Sequence, residues 1–472
     1  MATYRSLGIL FSSLVVTSLV GCGTNVGGAD SGEAPAATPK PTPTTPAPGT
    51  TPTTAGLRYP GHGFIVHEWG TNTVVVGSDG SLQRGLHHEE EDLPGFVYDR
   101  IKAGTALGYP TVVTSKVETP VTYFYSDTPR KVDVAVDFPA GVLTQWYPGV
   151  KAFSPPLLMH WTGGEHVVDP VLDTTVQFEF PDCKEQYSHA ALGRLDWGQV
   201  EVLPRAAKVA LPVAPLAEST WSFAREVGAN PLRVSAVAGT EGAAEDEQFL
   251  FYRGLGNLDF PLQVGAVPGG KVSVSNPSKI AMGRLFVINV GKGKGAFTVK
   301  EEGVSGGESV EPAIPSLDGA ASTAVHVEAL AAKVTEALDA TGLYHDEALA
   351  MVSTWKRQWF GTPGVRVLYL MPQTWTDAAL PLTITPPPEE MLRVMMIRVE
   401  VITPELEQID AAMAKLLSQP LTEGVARAHF EALGRFAEPR LRRALAVVGD
   451  PALGQAYLAS VTSAETRAGI GE

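Results

Sequence analysis

Histidines and carboxylates gather at four places in this 472-residue chain. The run "HGFIVHEWGTNTV" (62–74) brings His62, His67, Glu68 and Trp69 together, and "LHHEEED" (86–92) sets His87 and His88 before four acids. "HWTGGEH" (160–166) places His160 and His166 across a turn, and "DCKEQYSH" (182–189) holds Cys183 and His189. Imidazole and carboxylate are the ligands of zinc and copper and the usual general bases. A three-histidine or His/carboxylate centre would draw on His62, His67, Glu68, His160 and His166. Their spacings match no ligand motif, so distant strands would have to converge. Strand alternation sends Ile65, His67, Trp69 and Thr71 to one side and Val66, Glu68 and Asn72 to the other. His67 and Glu68 therefore do not share an ion unless a bulge intervenes. His62 is also of opposite parity to His67, although its glycine neighbours allow a bend. The competing reading is a histidine hydrogen-bonded near a sheet edge, with the acidic run a solvated loop. No metal is assigned, and the sequence requires no cofactor.

The other chemical patterns are weaker. Cys183 and His189 are spaced as in a blue-copper ligand loop, but no methionine follows them. "GVSGG" (303–307) satisfies G-x-S-x-G without the strand before it and helix after it that a nucleophile elbow needs. "GKGKG" (291–295) reads as a hairpin turn. Trp355 and Trp359 in "TWKRQWF", with "YFY", "QWYPG" and "LMHW", are candidate platforms for stacking on a sugar or peptide. Core packing is the alternative fate of tryptophans at helical spacing.

The elements that must position these residues divide near residue 310. Residues 58–310 are rich in period-two runs such as "PVTYFY", "KVDVAVDF", "TTVQFEF", "QVEVL", "QFLFYR", "KVSVS", "RLFVINV" and "GAFTV", parted by Pro and Gly turns. They predict an antiparallel β-sandwich-like domain. Residues 320–472 predict a smaller α/β module with a tail of helical hairpins, so the class is α+β. One helix is expected in "STAVHVEALAAKVTEALDATG" with Gly342 as its stop. A second is expected after Asp346 as N-cap, with Ala348, Val352, Trp355 and Trp359 on one stripe. A third has Thr403 as N-cap, Pro404 at the first position and a buried face of Leu406, Ile409, Met413, Leu416 and Leu417.

The N-terminus speaks to location. Arg5 precedes the apolar "LGILFSSLVVTSLV", the layout of a secretory signal too short to remain as a membrane span. Leu19, Val20, Gly21 and Cys22 resemble a bacterial lipobox, which implies cleavage at 1–22 and a lipid on Cys22. Two or three acyl chains hold a protein stably at a membrane. Gly23 is not the aspartate that would signal inner-membrane retention, so an outer-membrane anchor is expected. Residues 23–57 are almost all Gly, Ala, Pro, Thr and Ser, the composition of a disordered, semi-rigid tether. A formal charge of −15 argues against nucleic acid as partner. With two cysteines in all, lipidation of Cys22 leaves Cys183 alone, and neither a disulfide framework nor a multi-cysteine zinc site is available.

The phrases "VHEWGTNT", "VETPVTYFY", "FLFYRGLGN", "GVRVLYLMPQTWTDAALPLTI" and "LGRFAEPRLRRAL" together resemble a family of uncharacterised secreted and lipid-anchored bacterial proteins whose folded part opens on a His-Glu-Trp-Gly-Thr motif. The resemblance spans most of residues 60–448 and implies a shared fold, with no activity attached. The expectation is a cell-envelope lipoprotein whose β-rich domain binds a peptide, glycan or protein, or is structural. The alternative is an envelope hydrolase or metal-dependent enzyme with its site in the cleft between the two modules.

Overall fold

Thirteen consecutive residues, Phe64–Val76, form strand β1, and every one of them is buried. A strand buried on both faces must lie in the middle of a covered sheet, and its neighbours show that it does. The computed structural model describes residues 57–86, 88–89, 93–99, 113–154, 193–214, 220–235, 244–450 and 453–454. Cys22, residues 23–56 of the tether, His87, His160, His166, Cys183, His189, "TTVQFEF" and "LMHW" lie outside them.

Twelve strands carry the architecture: β1, β2 (Ser115–Val117), β3 (Val121–Ser126), β4 (Arg130–Phe138), β5 (Gly141–Tyr147), β6 (Gly193–Val202), β7 (Leu250–Gly256), β8 (Leu285–Gly291), β9 (Lys294–Lys300), β10 (Gly364–Met371), β11 (Leu382–Thr385) and β12 (Glu390–Val401). Among the described residues the large sheet has eleven strands and runs β9-β8-β10-β12-β1-β2-β7-β5, with a short strand at either edge and β3 paired to both β1 and β7. β6, β4 and β11 lie side by side in a second sheet. The helices are α1 (Thr220–Ala224), α2 (Thr323–Asp339), α3 (His345–Trp355), α4 (Gln373–Ala379), α5 (Pro404–Leu416), α6 (Glu423–Glu431) and α7 (Ala437–Val448). The class is mixed α/β. Among the described residues, no helix is long and apolar enough to cross a membrane.

The division expected at 310–320 cuts through this large sheet. β1 pairs in parallel with β12 along its whole length, from Ile65 opposite Glu390 to Val76 opposite Val401. Residues 55–472 accordingly form one compact unit. Alternation predicts each strand's faces but not its partner, which is why a parallel pairing across more than 300 residues was not legible. The expected cleft between modules is replaced by a continuous sheet.

Each face of that sheet has its own core. Val66, Phe124, Tyr252 and Ile397 pack with Val134, Leu195, Trp197 and Val200 of the second sheet. Ile65, Trp69, Tyr123, Phe286, Leu368 and Val394 pack against α2 and α3.

The helices follow local chemistry closely. Ser322 caps α2, with its hydroxyl accepting from the Val325 amide, and Gly342 takes φ +104° just beyond the end. α3 begins one residue before the expected cap: Tyr344 is the N-cap, and Asp346 lies in the first turn. Thr403 and Pro404 open α5 as expected. The buried face of α5 differs. Glu407, Asp410, Ala411 and Ala414 point inward and Ile409 is 47% exposed. Ion pairs turn the helix: Asp410 holds His429 (2.8 Å) and Arg440, and Glu407 holds Arg443 (2.6 Å) and the Ser78 amide (2.8 Å). A hydrophobic pattern cannot anticipate that.

Candidate functional site

β1 carries two polar clusters on opposite faces, as its parity requires. On the helix side, His67 Nδ1 lies 2.8 Å from Glu347 Oε2 in the first turn of α3. The Glu347 carboxylate also accepts from the Tyr344 amide (2.7 Å) and the Tyr125 hydroxyl (2.8 Å). The His67 ring rests against Tyr344, with centroids 4.4 Å apart, and its Nε2 is buried with no partner among the described residues. Burial, then the Glu347 charge, pushes the Tyr125 phenol well above its usual range, so it remains a donor. The segment before β1 covers this cluster. Tyr59 stacks on Tyr125 at 5.4 Å, and the Leu57 carbonyl accepts from the His345 amide.

On the other face, Glu68 is saturated. Its Oε1 accepts Arg393 Nε (2.9 Å) and Nη2 (2.6 Å), and its Oε2 accepts the Thr122 (2.9 Å) and Tyr252 (3.1 Å) hydroxyls. Asp377 of α4 takes Arg393 Nη1 at 3.0 Å. Burial alone would lower the Arg393 pKa, and the Glu68 charge, Tyr252 and the hydrogen bonds to Glu68 and Asp377 together outweigh it and raise it. Arg393 stays charged.

A third cluster joins β2 and β7 to the C-terminal helices. Lys116 Nζ meets Glu89 (2.8 Å) and the His88 carbonyl (2.6 Å), and Arg253 reaches the same Glu89 at 2.6 Å. Arg435, just before α7, pairs with Glu118 at 2.7 Å. Burial works to raise the Glu118 pKa, but Arg435, Lys116 and Arg253 together bring it down to about 2. Lys116 is lowered by burial against the pull of Glu89 and Glu118. His88 is lowered to about 3 by burial, then by Lys116 and Arg435. Glu438 lies 3.3 Å from its Nε2, but Arg442 occupies that carboxylate at 2.5 Å.

These shifts set a pH dependence. Between pH 6.5 and about 3 the unfolded chain protonates His88 and the folded one does not, so stability falls on acidification through that window. Glu118 adds a loss in the same direction between pH 4.5 and about 2. Denaturant midpoints measured on either side of pH 6.5 and of pH 4.5 should therefore drop in two stages. His88→Gln should flatten the first stage and leave the second.

The sequence candidates separate as follows. His67 and Glu68 are each 1% exposed and belong to different clusters, while His62 is exposed in the bend before β1. No group of three or more His, Cys, Asp or Glu side chains among the described residues is placed to hold a metal ion. Trp355 and Trp359 pack against each other at 5.0 Å, inside the layer between sheet and helices. Trp359 sits in a π-helical turn, Lys356–Phe360, with the Arg398 guanidinium 5.3 Å from its ring. They are core residues and form no open stacking platform; "YFY" and the Trp146–Tyr147 pair of "QWYPG" are buried too. Sequence reasoning missed Glu347, Arg393, Lys116, Glu118 and Arg435. The available signal was a charge at an inward parity position of an apolar strand, as Arg393 is in "RVMMIRVEV".

No protein-family model matches the chain, and no curated protein matches it. Among solved structures, one match is the yeast delta-COP-I mu-homology domain complexed with a Dsl1 WxWxV peptide. It shares 6% identity at a TM-score of 0.24 and covers 72% of this chain and 98% of that one. A likeness at this level carries no argument.

Proposed function

We propose that this chain is a lipoprotein of the bacterial outer membrane, anchored through Cys22 and holding on its Pro/Thr-rich tether a β-sandwich-like body whose role is binding or structural. One observation carries the preference for a binding or structural role over a catalytic one. The two residues of the His-Glu-Trp-Gly-Thr run with chemical capacity are buried and engaged by interior partners, Glu68 with every acceptor position occupied. The sandwich reading draws support from the core layer that the large and second sheets share. Membership of the family that opens on this motif rests on the phrases of the sequence themselves, whose polar residues fall in the buried clusters. "VHEWGTNT" supplies His67 and Glu68, "VETPVTYFY" supplies Glu118 and Tyr125, "FLFYRGLGN" supplies Arg253, and "LGRFAEPRLRRAL" supplies Arg435 and Glu438, all members of the buried clusters. The anchor rests on the Leu19–Cys22 pattern. Fractionation of cells producing Cys22→Ala tests it: the variant should leave the membrane fraction, and a membrane-bound form that persists would overturn the anchor.

The enzymatic alternative is favoured by one feature, the unpartnered Nε2 of a histidine whose Nδ1 is oriented by a carboxylate, the arrangement of metal ligands and general bases. Stoichiometric zinc or copper in the purified protein, lost on His67→Ala, would establish that reading in place of the first.

A further inference from the structure

The outer edge of the large sheet is open along part of β9. β8 and β9 form a hairpin in register from Leu285 opposite Lys300 to Gly291 opposite Lys294. Antiparallel partners exchange N–H and C=O bonds at alternate positions, so Lys294, Ala296, Thr298 and Lys300 turn these groups toward β8, and Gly295, Phe297 and Val299 turn theirs outward. The Thr323 amide donating to the Gly293 carbonyl fixes that phase. Gly295 pairs outward with Ala321 of the short edge strand, which reaches no further along β9. The N–H and C=O groups of Phe297 and Val299 therefore face out with no hydrogen-bond partner among the described residues. Such an edge is a template for a further strand. Phe297 and Val299 pack their side chains into the layer under α2, Phe297 at 5.7 Å from the His326 ring, and Thr298 is exposed on the opposite face.

The free stretch is complementary to itself. An antiparallel copy laid along it with Thr298 opposite Thr298 sets Phe297 against Val299 on both sides of the centre, and the open N–H and C=O groups of the two copies satisfy one another with none left over. Threonine opposite threonine and an aromatic ring opposite a β-branched side chain are both favourable cross-strand pairs. Lysines guard many free edges by repelling a second strand. In this register Lys300 faces Ala296, and Lys294, which is exposed, comes alongside Glu302, whose side chain is 73% exposed. A centre on Phe297 would instead set Val299 against Gly295, whose outward groups Ala321 already holds. We propose that two copies of this chain associate through these edges, joining their large sheets into one across a two-fold axis at Thr298. The proposal depends on neither the lipid anchor nor the choice between a binding and a catalytic body.

The test is sedimentation velocity of the compact body, residues 55–472, over a range of concentrations. A monomer–dimer equilibrium is expected. Thr298→Lys should abolish the dimer, and so should Thr298→Glu, because each sets like charges against one another on the axis at an exposed position. An equimolar mixture of these two variants should restore the dimer as a heterodimer, which a variant that merely failed to fold would not do. Val299→Pro removes an outward N–H without touching the ladder to β8 and should weaken the dimer about tenfold. A parent that stays monomeric up to about 100 μM, a Thr298→Lys dimer as tight as the parent's, or a mixture of the charged variants that stays monomeric would overturn the proposal. A monomeric parent that binds the synthetic peptide Thr-Val-Thr-Val-Thr, and loses it in Val299→Pro, would overturn it in favour of a peptide-docking edge.

Discussion

Arg393→Ala should destabilise the folded body by about 3–5 kcal/mol, the cost of leaving one member of a buried ion pair without its partner. The geometry makes this an extreme case. Arg393 is fully buried, Glu68 is 1% exposed, and the guanidinium supplies two of the four hydrogen bonds that the carboxylate receives. Removing it leaves a carboxylate in a layer of Val, Phe and Trp side chains with only the Thr122 and Tyr252 hydroxyls as donors. Glu68→Gln should cost less, because Asp377 still holds Arg393 at 3.0 Å. A double replacement by apolar residues, Glu68→Leu with Arg393→Met, should recover much of the loss, since a buried pair is often no better than well-packed hydrophobic residues. Denaturant midpoints at unchanged slope measure all three. A cost below about 1 kcal/mol for Arg393→Ala would mean that water reaches the pair, as it does exposed ones.

Arg435→Ala should have a comparable effect, about 3–5 kcal/mol by the same argument, with a different signature. Arg435 reaches Glu118 at 2.7 Å, and both side chains are buried. It also lies beside Phe436, with the guanidinium 5.0 Å from the ring centroid, and so fixes the turn that introduces α7. α5, α6 and α7 have a small core of their own, including Ala414, Phe430, Leu441 and Leu445. Loss of Arg435 should therefore loosen that core first. Hydrogen exchange should speed up across residues 423–448 before the large sheet responds, the behaviour of a region that opens as its own unit. If the helices and the sheet of the variant lose protection together, the clamp reading is wrong.

Much of the fold was legible in particular residues. The strands around Val132, Val134 and Val136, the cap of α2 at Ser322, and the opening of α5 at Thr403 and Pro404 follow from local pattern and local hydrogen bonding. The opposite placement of His67 and Glu68 follows from alternation alone. What was not legible depended on distance along the chain. Parallel pairing of β1 with β12 places Glu68 opposite Arg393, and β1 brings His67 under Glu347 of α3, partners some 280 to 325 residues away. No spacing rule reaches that far. The inward turn of α5 had the same origin, because Asp410 finds Arg440 and His429 on helices that follow it. The tryptophans were ambiguous for a different reason: a stripe of aromatic residues has the same period whether it faces a core or a ligand, and here it faces the core.

The central claim is that the strand "FIVHEWGTNTVVV" is interior scaffold and offers no reactive surface. Native-state hydrogen exchange of residues 64–76 tests it most directly. All the backbone amides of this strand should exchange only through global unfolding, with opening free energies equal to that measured by denaturant. Exchange at His67 and Glu68 through local opening, at free energies well below the global value, would contradict the account and return these two side chains to the list of accessible, chemically competent groups.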